Sequence, residues 1–434
     1  MSRIPLPDIE AALPRQGLFK DKVWLLSPEP LALESAIIDE LEVLGALLAK
    51  FAVKANNLYF ASRDQSAPGW ISRALDSGKP QSIVELGCSA TFRNEVPRLI
   101  RPDVLLTDDG LKVTEIDSLP GGIGLTAWLN QLYSDFGWPV VGGGRGMIDG
   151  FERVLDSGKV FISREAQDYR PEMEWILAQM DSTEGKVEER LVDTWKYDLM
   201  RDKTKTAYRY FELWDLDNVE NVSAFERLAV SGETVFTPPM KAFFEEKLWL
   251  ALLWSPGLRA QWSETLGSEG FERFRQFVPQ GWILDPAPIP HFAEYPGLGI
   301  QNWDELKAFS QKDRRLVLKI SGFSQQAWGS RGVYIGHDLP GHEWRQVIDR
   351  ALEQFPDAPH ILQIFHQAKI IEHPFYDRDT GEVRIMNGRA RLCPYYFVGE
   401  NRVTLAGILA AICPKDKKLI HGMTDAILVP CMRA

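Results

Sequence analysis

Four charged residues in one short stretch have the types and spacing of a phosphoryl-transfer site. Arg101 and Asp103 lie in the segment RPDVLL, and Glu115 and Asp117 follow in LKVTEID. The Asp-Asp-Gly sequence at 108–110, between two apolar runs, predicts a short-loop β-hairpin. In such a pair of antiparallel strands Asp103 lies across from Glu115, and the two-residue period places Glu115 and Asp117 on one face.

Carboxylates held this close repel one another unless a cation neutralises them, and hard oxygen ligands select magnesium or manganese. We therefore predict that Asp103, Glu115 and Asp117 bind Mg²⁺, with Mn²⁺ as the alternative ion. Arg101 is expected to point the same way as Asp103, where a guanidinium can hold a phosphate or stabilise its transition state. The alternative interpretation is a hairpin whose acidic face is simply solvated.

Length and composition indicate a globular protein with two or three domains. The chain has 434 residues, of which 45% are hydrophobic and 25% charged, and its formal net charge is -11. That charge gives no support to binding of nucleic acid or of anionic membrane surfaces. Four scattered cysteines predict neither a zinc site nor a disulfide framework, and no apolar segment has the length of a membrane span. We expect a cytoplasmic protein; its oligomeric state is not readable from the sequence.

Hydrophobic periodicity divides the chain into three predicted parts. Residues 1–148 hold a long amphipathic helix over 34–54 and the acidic hairpin, and residues 149–240 form a small α/β domain. Residues 241–434 form the third part, which contains the second group of signals described below. The predicted elements around the small domain are a helix, a strand, a helix and a strand over Met147–Asp156, Lys159–Ser163, Pro171–Met180 and Ala207–Leu213.

The glycine-rich segment at 120–124 leads from the hairpin into a predicted helix. Glycines at such a position either let the backbone approach a ligand closely or simply make the turn. Both alternatives remain open at the level of the sequence.

A second group of signals lies in RRLVLKISGFSQQAWGSRGVYIG. Lys319 ends an apolar strand, a glycine loop follows, and another strand begins at Val333. The backbone N–H groups of such a loop can cover phosphates, and the lysine supplies a point charge to them. We therefore expect Gly329, Ser330 and Gly332 at a nucleotide. Neither the P-loop pattern nor G-x-G-x-x-G is present, and the alternative is an ordinary hairpin.

Two further segments carry candidate nucleotide contacts. Residues 238–253 predict a helix with Lys241 and Lys247 beside an apolar face, and HILQIF predicts a buried strand in which Gln363 can meet an adenine edge. Each has a structural alternative. Lysines on an amphipathic helix are usually solvated, and a glutamine in an apolar strand often satisfies a backbone group.

In their order along residues 98–434, these motifs resemble the synthetase part of the glutathionylspermidine synthase family and its circularly permuted ATP-grasp relatives. The family's Arg-x-Asp and Glu-x-Asn match Arg101-x-Asp103 and Glu115-x-Asp117, with aspartate in place of asparagine. Its two nucleotide lysines match Lys247, before LWLALLW, and Lys319. This chain departs from the pattern at the residue after Lys319, which is isoleucine rather than proline, and in its longer glycine loop. It also lacks the amidase domain of bifunctional relatives.

The resemblance implies an α/β (α+β) ATP-grasp fold, circularly permuted, with a small pre-ATP-grasp-like domain. It implies an ATP-dependent ligase that joins a carboxylate to an amine through an acylphosphate and releases ADP and phosphate. Arg101 would be catalytic, and no protein nucleophile is needed. Neither substrate, small molecule or peptide, is specified. The alternatives are a non-catalytic nucleotide-binding protein and a phosphotransferase. Three further polar candidates in the C-terminal segment are Arg389, Arg391 and Asp425.

Overall fold

Helices and strands alternate irregularly along the chain. The computed structural model describes residues 2–14, 24–180, 187–198, 204–291, 293–327, 331–400, 402–417, 420 and 425–434. Its helices in these ranges are α1 (Leu6–Ala12), α2 (Ser35–Arg63), α3 (Trp70–Asp76), α4 (Gln81–Gly87), α5 (Ile123–Asp135), α6 (Gly146–Leu155), α7 (Arg170–Gln179), α8 (Val187–Arg190), α9 (Val222–Ser231), α10 (Leu248–Leu252), α11 (Arg259–Leu266), α12 (Ser268–Phe277), α13 (Trp303–Lys307) and α14 (Gly341–Glu353). Its strands are β1 (Leu31–Leu33), β2 (Leu99–Thr107), β3 (Gly110–Asp117), β4 (Lys159–Ile162), β5 (Leu191–Asp193), β6 (Thr206–Tyr210), β7 (Val235–Thr237), β8 (Gly281–Ile283), β9 (Leu316–Ile320), β10 (Val333–Ile335), β11 (His360–Ile364), β12 (Ile370–Tyr376), β13 (Val383–Val398), β14 (Val403–Pro414) and β15 (Ile427–Arg433).

The chain forms two units, each made of segments distant in sequence. The first unit comprises Met1–Val53, Glu85–Lys241 and Gln367–Ala434, and the second comprises Lys54–Val84 and Ala242–His366. The three-part division at residues 148 and 240 stays a prediction. Among the helices in the described ranges, none is both long and apolar enough to cross a membrane.

A seven-stranded mixed sheet is the basis of the first unit. Its strand order is β1-β15-β14-β13-β2-β3, with β12 paired to β13. β1 runs parallel to β15, whereas the other pairs are antiparallel. The predicted helix over residues 34–54 is confirmed and continues to Arg63 as α2. It packs closely on the sheet at Gly45, where a Cβ atom would lie 2.4 Å from the ring of Tyr396.

The predicted hairpin is confirmed as β2 and β3. Both strands are apolar on the buried side, and the turn at 108–109 joins them before Gly110, whose φ of +90° favours glycine. Asp103 pairs with Glu115, as expected, and Arg101 pairs with Asp117. The register shifts between Asp103 and the next residue, so a bulge lies beside the charged pairs.

The first unit also contains a smaller parallel sheet with the order β5-β4-β6-β7. Every residue of β6 is buried, which is typical of a parallel strand covered on both faces. The four elements predicted around this region are all present, as α6, β4, α7 and β6, with boundaries that differ by at most three residues. The switch from helical to strand periodicity was therefore sufficient to find them.

An antiparallel sheet with the order β10-β9-β11-β8 lies in the second unit. One of its faces carries Leu316, Leu318 and Leu362 into an apolar core that includes Trp344 of α14 and Trp303 of α13. Because side chains alternate along a strand, the residues between these leucines point to the other face. Lys319 is on that opposite face.

The helix predicted over residues 238–253 is wrong in its first half. The segment begins with Pro238 and Pro239, runs through a short 3-10 turn at Ala242–Glu245, and becomes α-helical only at Leu248. Prolines fix φ and supply no N–H donor, and the N–H of Lys247 donates to Ser321 O at 3.1 Å. Lys241 is therefore outside the helix, and Lys247 is its N-cap residue.

Candidate functional site

A carboxylate–arginine cluster lies on the sheet of the first unit; it is formed by Arg101, Asp103, Asp117 and Arg391, with the thiol of Cys393 beside them. Arg101 Nη1 donates to Asp103 Oδ1 at 3.0 Å, and Arg391 Nη1 donates to Asp103 Oδ2 at 2.8 Å. Cys393 Sγ lies 3.4 Å from the same Oδ1 atom. Both oxygens of the Asp103 carboxylate therefore accept hydrogen bonds from guanidinium groups.

Asp117 belongs to the same cluster. Its Oδ2 atom accepts from Arg101 Nη2, and its Oδ1 atom accepts from the backbone N–H of Leu119 at 3.2 Å. Burial alone would lower the pKa of the Arg101 guanidinium, but the charge of Asp103 raises that pKa well above its ordinary value. The same balance raises the pKa of Arg391. The guanidiniums of both arginines are therefore locked in their charged form.

Magnesium held by all three predicted carboxylates does not fit these pairings. The oxygens are of the kind the ion prefers, but those of Asp103 and Asp117 already accept from arginines and a backbone amide. In the described ranges, no three His, Cys, Asp or Glu side chains gather in a way that could hold a metal ion. Asp103, Glu115 and Asp117 as metal ligands stay a prediction from the sequence.

The glycine-rich turn before α5 is occupied by a carboxylate of the protein itself. Gly122 has φ of +77°, and the N–H groups of Gly122 and Leu125 donate to the two oxygens of Glu172 at 2.9 and 3.2 Å. Glu172 is fully buried and also accepts from the hydroxyl of Tyr210 at 3.2 Å. These glycines therefore make a turn whose helix N-terminus is capped within the chain.

The C-terminal candidates have separate roles. Arg391 joins the carboxylate–arginine cluster, which the sequence did not reveal. Arg389 donates instead to the carbonyl oxygens of Lys415 and Ala368 and so ties neighbouring backbone segments together. Asp425 has φ of +59° and pairs with Lys417 at 3.5 Å.

A lysine cluster lies in the second unit; we define it as Lys79, Glu246, Lys247, Lys319 and Gln363. Lys247 Nζ lies 3.4 Å from Ser321 O and 3.5 Å from Ala327 O, at the beginning of the glycine loop. Lys319 lies in β9 opposite residues 333 and 361. Both lysines are almost fully buried.

A buried ion pair that the sequence did not reveal supports Lys247. Lys79 Nζ pairs with Glu246 Oε1, and each side chain is only 1% exposed. The other oxygen of Glu246 accepts from Ser321 Oγ, and Ser321 Oγ accepts from the N–H of Leu248 at 2.9 Å. These contacts fix the beginning of the glycine loop against the N-terminus of α10.

The glycine loop itself is tightly built where it is described. A Cβ atom on Gly322 would lie 2.1 Å from Glu245 O, and one on Gly332 would lie 2.6 Å from the side chain of Ile320. Phe323 has φ of +44°, a conformation rare for residues with side chains. Gly329 and Ser330, both predicted nucleotide contacts, lie outside the described residues.

Gln363 shares the face of the sheet that carries Lys319. Lys319 pairs with Ile361, and Gln363 is two residues further along the same strand. Gln363 is 2% exposed, and its Nε2 atom has no hydrogen-bond partner among the described residues. A buried amide without a partner is costly, so this donor is free for an acceptor on a bound molecule.

Comparisons with known proteins bear on the fold. No family model and no curated protein matches the sequence. A glutathione synthetase-like effector from Globodera pallida is similar in structure, with a TM-score of 0.53 and 11% identity over 95% of this chain and 90% of that one. A gamma-glutamylcysteine synthetase candidate from Methylobacillus flagellatus has a TM-score of 0.38 and 10% identity, over 82% of this chain and 85% of that one. This similarity is too low to indicate a shared fold. The chain therefore has mixed α/β architecture and shares the fold of the glutathione synthetase-like effector.

Proposed function

We propose that this chain is an ATP-dependent ligase that joins a carboxylate to an amine, with a circularly permuted ATP-grasp fold. The observation that carries the proposal is the lysine cluster. Lys319 and the unpartnered amide of Gln363 share one face of a sheet, and Lys247 lies at the beginning of the glycine loop that leaves the same strand. A nucleotide supplies both a phosphate for the lysines and a ring acceptor for the amide.

The fold supports the same class of reaction. The structural neighbour from Globodera pallida is named for its likeness to a glutathione synthetase, an enzyme class that makes amide bonds. Fold alone does not establish activity, so the proposal depends on the residues of the lysine cluster. Glutathionylspermidine synthase itself is one family within this proposal.

The proposed reaction needs no nucleophile from the protein. A carboxylate oxygen of the substrate forms a bond to the γ-phosphorus of ATP, and the bond from that phosphorus to the bridging oxygen breaks to release ADP. The amine then bonds to the acyl carbon, phosphate leaves, and the amine proton passes to solvent. In this proposal Lys247 and Lys319 neutralise the phosphates.

The divalent cation that usually accompanies ATP would add charge neutralisation at the phosphates. Asp103, Glu115 and Asp117 are its ligands only as predicted from the sequence, because the pairings of Asp103 and Asp117 do not fit that role. Since Asp103 and Asp117 are paired with arginines, the cation would compete with those guanidiniums. That competition favours a second candidate function, a nucleotide-binding protein without ligase activity.

The test is calorimetric titration with MgATP of the wild-type chain and of the Lys247→Ala/Lys319→Ala variant. We expect at least a tenfold loss of affinity in the double variant and no change in Lys312→Ala, which alters an exposed lysine of the same unit. Equal binding by all three proteins would contradict the nucleotide site.

Product analysis then separates the candidate functions. A ligase releases ADP and phosphate only when a carboxylate and an amine are both supplied. A phosphotransferase forms a phosphorylated product without an amine, and a non-catalytic protein binds ATP without turnover under either condition.

A further inference from the structure

Arg314 is a buried arginine whose guanidinium is not fully paired by the described residues. It is 3% exposed, and its Nε and Nη1 atoms have no hydrogen-bond partner among the described residues. An arginine side chain stays protonated in proteins, so it cannot relieve this burial by losing its proton. Leaving a buried charge unpaired is strongly unfavourable.

The other buried arginines show what is missing at this position. Arg209, which is fully buried, donates to the carbonyl oxygens of residues 211, 238 and 239. Arg190 donates to the carbonyl oxygens of residues 156 and 158. Each of these guanidiniums has acceptors within the chain, whereas Nε and Nη1 of Arg314 have none among the described residues.

The backbone holds Arg314 in place. Its N–H donates to Ser310 O at 3.2 Å. Its carbonyl oxygen and Cβ atom press against Gly336, where an added Cβ would lie 2.8 and 3.2 Å from them, with the ring of Trp344 at 3.1 Å. The backbone and Cβ atom of Arg314 are therefore packed on several sides.

The residues near Arg314 in sequence and around Gly336 include one more buried nitrogen atom and two engaged carboxylates. His337 directly follows Gly336, and its Nδ1 atom is likewise buried without a partner among the described residues. The adjacent carboxylates are engaged: Asp313 accepts from Ser310 Oγ at 2.6 Å, and Asp338 lies 3.7 Å from His337 Nε2.

We propose that Arg314 forms the centre of a second anion site, which takes a phosphate group. The guanidinium offers N–H donors in a fixed fork, which suits an oxyanion with several oxygens. Arg314 precedes Lys319 by five residues in extended chain, a separation of roughly 16 Å. Its carbonyl oxygen and Cβ atom also lie beside Gly336, next to the ring of Trp344, whereas Lys319 is on the face of the sheet opposite the core that contains Trp344. The site is therefore distinct from the proposed nucleotide site.

Inorganic phosphate is the probe. Urea unfolding of the wild-type chain, followed at constant ionic strength with increasing phosphate, should show a saturable rise of the midpoint. Arg314→Met should weaken the apparent affinity for phosphate at least tenfold and should itself unfold at higher urea in phosphate-free buffer, because the unpaired charge is gone. Arg315→Met, which alters the exposed neighbour, should behave as wild type.

The same titration in the Lys247→Ala/Lys319→Ala variant separates this site from the nucleotide site. The Arg314-dependent rise should persist there even if the proposed ligase function fails. A rise of equal size in wild type and Arg314→Met would mean an adventitious ion only and would overturn the proposal. A less stable Arg314→Met variant combined with no effect of phosphate on wild type would also overturn it, since Arg314 would then be purely structural.

Discussion

The carboxylate–arginine cluster is partly buried and the lysine cluster is buried, and their charges are balanced differently. In the first, Asp103 and Asp117 are matched by the guanidiniums of Arg101 and Arg391. The second, as defined, contains three lysines and one glutamate, and a buried amide in it has no partner among the described residues. The two clusters therefore differ in composition: the first pairs two acids with two arginines, whereas the second contains more cations than anions.

The largest expected change in stability tests whether the charges of the carboxylate–arginine cluster depend on one another. Asp103→Asn removes the charge that faces both Arg101 and Arg391, so the unfolding free energy should fall by about 3–5 kcal/mol. Urea denaturation measures the change. Asp108→Asn, in the exposed turn of the same hairpin, should change stability by less than about 0.5 kcal/mol.

If Asp103→Asn were as stable as the wild type, the arginines would not depend on this carboxylate. The interpretation of the cluster as a closed network would then fail, and the metal-ligand assignment would become the better one.

The next prediction concerns the ion pair within the lysine cluster. Lys79→Met leaves Glu246 buried without its cation and should cost about 3 kcal/mol of unfolding free energy. Adding Glu246→Leu removes the orphaned charge, so the double variant should return to within about 1 kcal/mol of the wild type.

Binding separates the two roles of this pair. The double variant should fold but bind MgATP several-fold more weakly, because Ser321 and the beginning of the glycine loop lose the contact with Glu246. Wild-type affinity in a stable double variant would show that the pair serves stability alone.

Whether a contact could be predicted from the sequence depends on how far apart its two residues lie along the chain. The pairing of Asp103 with Glu115 was predictable because turn and alternation fix it within one hairpin. The partners Arg391 and Lys79 were not, because 288 and 167 residues separate them from Asp103 and Glu246. Local patterns specify a strand and its faces, but the packing of distant segments decides which charge neutralises which.

The same limit explains the helix over residues 238–253. The apolar residues of this segment have helical spacing, and the prediction gave that spacing more weight than the two prolines at the start of the segment. The structure places Lys241 in an irregular segment, where its Nζ atom donates to Glu95 O at 2.6 Å.

Lys241, in the first unit, allows the effect of burying a lysine on the free energy of unfolding to be measured. The pKa of Lys241 is lowered to about 7, mainly by burial. The charges of Glu95 and Cys88 raise this pKa, and the charge of Arg93 lowers it. Between this value and the ordinary pKa of 10.5, the unfolded chain binds one proton more than the folded chain. Stability should therefore increase as pH rises from 7 to 10, by about 3 kcal/mol in total.

Urea unfolding at several pH values measures this slope. Lys241→Met should lack the Lys241 contribution, and Lys50→Met, at an exposed position, should retain it. An identical slope in Lys241→Met and wild type would show that the surrounding groups keep a buried lysine charged at no cost. In that case burial would not by itself disfavour the charged form of a lysine in this protein.

The smallest expected effect isolates the amide of the lysine cluster. Gln363→Leu replaces a buried side chain whose Nε2 atom has no partner among the described residues, so the free protein should gain about 1 kcal/mol of unfolding free energy. Affinity for MgATP should fall by about fivefold to tenfold, because the variant cannot donate to the nucleotide ring. Gln354→Leu, outside the cluster, serves as the control in both measurements. A variant that gains stability and keeps wild-type affinity would place the nucleotide ring elsewhere. Loss of both stability and affinity would mean that the amide stabilises the fold. Only a gain of stability together with a loss of affinity supports an amide that donates to a ligand.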